Sequence, residues 1–567
     1  MLHAILAAIA LFIADPDPSL PTMAGLIERY RADLGSVRRF HDTPMSLNAI
    51  DQSESFHEAW LDRLDGVDFE SLDASGRAEH LLLREHVRFA LDEARYDREQ
   101  LREIEPLLPF VEPLVAMLEA RRKLEPVDQR QAAETLDALA SEIVDATASL
   151  EEAESERDRV LARRAAIQLD RLAWSLRSWF NFYDGYDPLF SWWCREPYDA
   201  CSAALRKHSE TLREKVAGIT EEVDPVIGDP VGRDVLLRML EHEMIPYSPE
   251  QLITIAEREY EWCLDQMLQA TDELGFGKDW KAALEHVRDQ HVPPGEQPEM
   301  IAEMVREAIA FVEDRDLISV PELNAETWRM SMMSPARQQV SPYFLGGETI
   351  IVSYPTDAME HADKLASMRG NNRHFSRAVV HHEIIPGHGL QRFMMDRYRT
   401  HRGIFYTPFW LEGWALYWEM RLWDLGFAQG PEDRVGMLFW RMHRCARIIF
   451  SLRFHLGEMT AEEAVDYLVE NVGHLRRNAT AEVRRSVNGD YPPLYQAAYM
   501  LGGLQFMSLY EELVVDGGMS EREFHDAVLR HNAIPVEMLR AILRGDEIEA
   551  GHESSWYFAG DVEPGIR

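Results

Sequence analysis

Three imidazoles and a carboxylate stand within eight residues at His381-His382-Glu383-Ile384-Ile385-Pro386-Gly387-His388, and Glu412 follows twenty-four residues after His388. Two imidazoles and a later carboxylate are the ligand set of a catalytic zinc site, which keeps one coordination position open for water. A Glu directly after the first His is where a metallopeptidase holds the base that activates that water. The spacing is unusual, because the common motif sets its His pair one helical turn apart and His382 and His388 are six apart. On a regular α-helix six residues turn through about 600° and rise about 9 Å, so the two rings would point about 120° apart. His381 and His388 would share a face but stand about 10.5 Å apart along the axis. Neither pair could meet one ion at bonds of roughly 2 Å. Pro386-Gly387 offers a remedy: proline removes a donor and crowds the preceding turn, and glycine takes dihedrals closed to other residues. Either the pair kinks or bulges the helix so that His388 swings back toward His382, or it ends the helix and leaves His388 in a loop. Spacing alone does not choose.

Three other His-Glu dipeptides occur, at His57-Glu58, His242-Glu243 and His552-Glu553. His242-Glu243-Met244-Ile245-Pro246 imitates the start of the motif, but no His follows it at a useful distance. Trp410, Trp414 and Trp418 recur every four residues around Glu412, the mark of a packed helix face.

The elements that must position these residues are mostly helical. From about 22 to 290 apolar residues recur at three- and four-residue spacing, most clearly over 78–96 and 133–179, with the charged run 151–157 as a solvated face. Loops are expected at 224–232 and 292–295. Over 315–355 the pattern changes: Pro321, Pro335 and Pro342 break helices, and 346–354 (GGETIIVSY) reads as a short strand entered through a glycine pair. Such a strand either offers its edge to an extended substrate or is only structural. Helices are expected again at 375–398, 408–427, 431–457, 460–472, 494–515 and 520–544. The fold class is therefore mainly α, a large helical body with a small strand region before the metal-binding helix. Its expected divisions are an N-terminal apolar segment over 1–20, a helical region over 21–314 and a catalytic region over 315–567 packed with it as one body.

At 567 residues, 46% hydrophobic and 28% charged, the chain is of the globular class and can bury a large core. A net charge of -39 argues against nucleic acid or anionic membrane as partners, since phosphate repels such a surface. The four cysteines, at 194, 201, 263 and 445, form no zinc-finger pair; Cys194 and Cys201 could join in an oxidising compartment, with buried free thiols as the alternative. Leu2 to Ala14 is an apolar run of signal-peptide length broken by Asp15-Pro16-Asp17-Pro18. No Lys or Arg precedes it and Phe12 falls at −3 if cleavage follows Ala14, both unusual in a signal. Export to the periplasm or medium is the expectation, with a cytoplasmic protein as the alternative. No later segment is long and apolar enough to span a bilayer.

The run from His382 through His388 to Leu390-Gln391 resembles the His-Glu-x-x-Pro-Gly-His-x-x-Gln signature of the bacterial domain-of-unknown-function-885 family. Trp410-Leu411-Glu412-Gly413-Trp414-Ala415 resembles that family's second signature, and Gln496 to Gly502 and Glu523 to Leu529 resemble its closing helices. The resemblance implies a zincin-like, largely helical zinc peptidase, with His382, His388 and Glu412 holding one Zn²⁺ and Glu383 as general base. Two departures stand out. Gly389 occupies the place of a second His, while a His precedes the motif at 381. The family's Arg-Tyr-x-x-x-Pro-x-Gln segment is stretched here from Arg484-Arg485 through Tyr491-Pro492-Pro493 to Gln496, which bears on substrate contacts.

Within that frame Tyr499 is the candidate donor to a tetrahedral oxyanion, and Tyr495, one turn earlier on the same face, competes with it. Arg484 or Arg485 would grip a substrate carboxylate or form a surface ion pair. Glu419 shares the helix face of Glu412 and is placed to support a ligand imidazole. Gln391 lies one turn beyond His388, and His381 contacts substrate or only packs. The function expected is zinc-dependent hydrolysis of peptide bonds, in small peptides by analogy of fold. The alternatives are a metal-dependent hydrolase of a non-peptide amide and an inactive zincin-like binding protein.

Overall fold

The computed structural model describes residues 22–152, 158–220, 224–340 and 346–562. The N-terminal apolar segment, most of the charged run 151–157 and Pro342 lie outside the described residues. The chain is mainly helical: among the described residues the strands are Arg329–Met332 and Thr349–Val352, paired in parallel with Arg329 opposite Thr349 and Met332 opposite Val352. The strand expected over 346–354 is thus confined to its β-branched centre. Its partner, Arg-Met-Ser-Met, has no β-branched residue to announce it. No helix among the described residues is long and apolar enough to cross a membrane.

Contacts divide the chain into two compact units, 22–68 with 84–227 and 69–83 with 228–562. The helices between 228 and 314 therefore group with the motif residues, a partition different from the boundary expected near 314.

The first unit is a helical bundle. Its core joins Leu136, Leu139 and Ile143 of Gln129–Glu152, Leu169, Leu172 and Leu176 of Arg159–Tyr183, and Phe190 and Leu205 of Pro188–Thr211. In the first two helices these recur at three, four and seven residues, and in the third Cys194 and Cys201 fill the interval at four and seven, which places them on one stripe of each helix. An aspartate fixes the start of each of these three helices: Asp128 accepts from the N–H of Arg130 and Gln131, Asp158 from Val160 and Leu161, and Asp187 from Leu189 and Phe190. Each such cap stabilises its helix by about 0.5–2 kcal/mol. The pattern over 133–179 belongs to two helices rather than one. All four cysteines are buried and unpaired. Cys194 and Cys201 lie on the same helix, where seven residues rise about 10.5 Å, beyond the Cα separation a disulfide tolerates.

The second unit carries the motif. Asn372 starts the helix Arg373–Glu383 by accepting from the N–H of His374 and Phe375. The long helix Pro431–His455 crosses that start at Gly436, where a Cβ would lie 2.2 Å from the His374 carbonyl oxygen. Helices Pro408–Asp424 and Tyr495–Tyr510 touch through a glycine pair. A Cβ on Gly413 would lie 2.5 Å from Gly502 Cα, and one on Gly502 2.2 Å from the Phe409 carbonyl oxygen. That approach sets Glu412 against the tyrosines of the facing helix. Trp410, Trp414 and Trp418 are fully buried. Farther along, the segment expected as one helix over 520–544 is two, Glu521–Arg530 and Val536–Arg544, with Pro535 at the second start.

Candidate metal centre

The segment expected as one helix over 375–398 is broken at the motif. Arg373–Glu383 ends at the general-base candidate, the Ile385–Pro386 peptide is cis, and a new helix, His388–Met395, begins with His388 as its first residue. The outcome is neither a bulge in a continuous helix nor a histidine left in a loop. The Gly387 N–H turns back to the His381 carbonyl at 2.9 Å and the Leu390 N–H reaches that of Ile384 at 3.0 Å, so the backbone folds over the end of the first helix. Only glycine passes here, since a Cβ at 387 would lie 1.9 Å from the His382 carbonyl oxygen. The same holds at 389, where a Cβ would lie 2.6 Å from the Ile384 carbonyl oxygen; the departure from the family signature at this position suits the close backbone. Trp414 Nε1–H donates to the Pro386 carbonyl at 2.9 Å, tying the break to the helix that carries Glu412.

The break brings His382, His388 and Glu412 together. One donor atom from each lies within 4.8 Å of the others, and all three residues are buried. His388 Nε2 is 3.1 Å and His382 Nε2 3.5 Å from Glu412 Oε2, and the two rings stand at 89° with centroids 4.9 Å apart. The other ring nitrogens are occupied. His382 Nδ1–H donates to Glu419 Oε1 at 2.7 Å and His388 Nδ1–H to Gln391 Oε1 at 3.2 Å; the Gln391 amide in turn donates to the Trp410 carbonyl at 3.1 Å. Such partners fix the tautomer and aim Nε2 at a metal. Burial opposes charge on both His382 and Glu412, yet each holds the other's: Glu412 and Glu419 push His382 up to about 9, and His388 and His382 hold the Glu412 carboxyl well below its ordinary value. Two imidazoles and a carboxylate without cysteine suit one Zn²⁺ with an open position, and the residues fit that ion.

Glu383 lies beside the triad, half-buried. Burial raises its carboxyl above the ordinary value, partly offset by His382 and His388. The glycine pair before the strand packs directly on it: a Cβ on Gly346 would lie 2.3 Å from Glu383 Oε2, and the Gly347 N–H donates to the Glu383 carbonyl at 3.1 Å. The two tyrosines take different places. Tyr495 gives its hydroxyl to Glu412 Oε1. Tyr499 lies parallel to the His382 ring at 6.1 Å, and the guanidiniums of Arg444 and Arg447 each sit 4.7 Å from its centroid.

Of the remaining residues singled out from sequence, Arg485 is engaged by Glu482 at 2.7 Å and Arg484 is half-buried beside it in the helix Arg476–Val487. Gln496 is buried with its carboxamide oxygen unpartnered among the described residues. His381 is fully buried, edge-on to Phe427 at 5.4 Å. Four further histidines outside the motif, His443, His455, His474 and His525, are also buried. Sequence reasoning missed Arg444, Arg447 and Glu482. For the two arginines the available signal was an apolar run, Met442-His443-Arg444-Cys445-Ala446-Arg447-Ile448-Ile449-Phe450, inside which charged residues are buried only with partners; Glu482, in the polar run 476–487, carried no such signal.

Fold and site together define a mainly helical protein with a buried two-histidine, one-glutamate centre beside a glutamate. The chain belongs to the family described as "Bacterial protein of unknown function (DUF885)", whose model matches residues 18–543. No curated protein matches it. Among solved structures it is similar to a "putative lipoprotein of unknown function" from Shewanella oneidensis at 15% identity, covering 92% of this chain and 100% of that one with a TM-score of 0.69. It is also similar to a "putative lipoprotein" from Colwellia psychrerythraea at 15% identity, covering 92% and 98%, with a TM-score of 0.58.

Proposed function

We propose that the protein is a zinc-dependent hydrolase of peptide bonds with a zincin-like centre, acting on small peptides. The observation that carries this reading is the buried triad His382, His388 and Glu412 with Glu383 alongside. Held by those three side chains, zinc would supply an acidified water and a polarised substrate carbonyl. Glu383, its proton affinity raised by burial, takes the proton of the attacking water and returns it to the leaving amine. Tyr495 is committed to Glu412 and orients that ligand, which leaves the Tyr499 hydroxyl to donate to the tetrahedral oxyanion. An extended peptide has the two-stranded sheet beside Glu383 as an edge to pair with. Export is part of this reading, supported by the apolar segment 2–14 and by similarity to proteins described as lipoproteins.

The test is a Glu383→Gln variant assayed for metal and for cleavage of a peptide library read by mass. Wild type and variant should both hold one zinc per chain, while the variant loses about 10²–10⁴ in turnover. Zinc bound at unchanged affinity by His388→Ala or Glu412→Ala would sink the ligand assignment.

A further inference from the structure

Arg444 and Arg447 lie one turn apart on the helix Pro431–His455 and are only 6% and 3% exposed. A guanidinium never sheds its charge, so it stays buried only against anions. The anions here fall short. Arg447 donates Nε–H to Glu482 at 2.6 Å, but Glu482 also serves Arg485 at 2.7 Å. Among the described residues Arg444 reaches one carboxylate, Glu419, at 3.5 Å, through an oxygen already accepting from His382 at 2.7 Å. Arg444 Nε, Arg447 Nη1 and Arg485 Nε are buried with no hydrogen-bond partner among the described residues. Both buried arginines lie close to the reactive groups: each guanidinium is 4.7 Å from the Tyr499 ring centroid, the field of Arg444 acts on Glu383 and that of Arg447 on Glu412. Around the triad the cations Arg444, Arg447 and Arg485 stand against the acids Glu383, Glu412, Glu419 and Glu482, so a divalent ion would leave one positive charge in excess.

We propose that a carboxylate of the substrate meets this excess, bound by Arg444 and Arg447 beside Tyr499, so that the site takes amide substrates carrying a free carboxylate close to the scissile bond. The inference rests on the hydrolase reading and names its substrate class. A carboxylate matches the guanidinium fork in geometry as well as charge. It comes either from the chain terminus, which makes the enzyme cut near the C-terminal end of peptides, or from an acidic side chain next to the cut.

Three forms of one neutral peptide separate these cases: the free C-terminal acid, the C-terminal amide, and an amide with a single Glu introduced. Turnover is followed with zinc-loaded wild type, and binding is followed by calorimetry with zinc-loaded Glu383→Gln, with metal-free wild type as the control that lacks the excess charge and should lose the preference. The acid or the Glu peptide should exceed the neutral amide by at least about tenfold in kcat/KM and in affinity, and which of the two does so identifies the source. Arg444→Gln and Arg447→Gln should each narrow that ratio; should Arg447→Gln fail to fold, the wild-type ratios still decide. Equal turnover and binding of all three peptides overturns the carboxylate site and leaves the hydrolase standing. Carboxylate-dependent binding without turnover of any peptide ends the peptidase reading and leaves the carboxylate site. Neither binding nor turnover ends both.

Discussion

At the candidate centre the two tyrosines of the helix Tyr495–Tyr510 divide two roles that one-turn spacing makes interchangeable on paper. Tyr495 holds Glu412 by a hydrogen bond, and Tyr499, lying against the His382 ring, is the proposed donor to the oxyanion. Their phenylalanine variants should therefore fail differently. Tyr495→Phe removes a partner that orients the carboxylate of the proposed zinc site and should weaken zinc affinity by about 10–100-fold, read by competition with a chelator. Tyr499→Phe should leave zinc affinity intact and lower kcat by about 10²–10³ with little change in KM. An unchanged kcat in Tyr499→Phe would remove that residue from the mechanism. His382, His388 and Glu383 stood out in the sequence by residue type, and Glu412 joined them through the resemblance to the family's two signatures, since the six-residue spacing by itself left their meeting open. Arg444 and Arg447 were not. A helical arginine is ordinarily a solvated charge, and only the packing of Pro431–His455 under Tyr499 turns these two inward.

At the scale of elements, proline and glycine announced that the helix could not run straight through the motif. They did not say that it would stop at Glu383 and restart at His388, because that outcome is imposed from outside the segment. Trp414 grips the Pro386 carbonyl and Gln391 ties His388 to the next helix. The strand Arg329–Met332 was silent for a similar reason: its pairing with Thr349–Val352 is a long-range fact with no local composition behind it. The start of the helix that carries Glu412 has a device of its own. Thr407 accepts from the Phe409 N–H and donates its hydroxyl to Glu243, the acid of the decoy dipeptide His242-Glu243. Burial pushes the Glu243 carboxyl up to about 8, with Thr407 opposing part of the shift. The folded state thus keeps a proton that the unfolded chain, with an ordinary carboxyl near 4.5, releases. Stability contributed by the neutral acid is full below that ordinary value and declines as pH rises toward 8, by at most about 1.4 kcal/mol per pH unit. Glu243→Gln, which keeps the shape without the titration, should match wild type in thermal midpoint near pH 5 and exceed it near pH 8. Parallel midpoint curves for the two proteins would exclude this carboxyl as the source of the slope.

Over the whole molecule, the ligands of the proposed ion lie in a single compact unit, 69–83 with 228–562, while the bundle of 22–68 with 84–227 has its own apolar core. A chain built of two such units is not expected to unfold in one two-state step. An ion that binds only the folded centre stabilises the unit that contains it, by about 2.7 kcal/mol when free zinc is a hundredfold above the dissociation constant. Removing it with a chelator should therefore lower one calorimetric transition by roughly 5–10 °C, at the 2–4 °C per kcal/mol usual for domains of a few hundred residues. The other transition should stay in place. His388→Ala supplies the control, since its lower transition should already coincide with that of the chelated wild type and should not respond to added zinc. A chelator that moves both transitions together, or neither, would mean that the three buried side chains do not hold a metal as this centre requires.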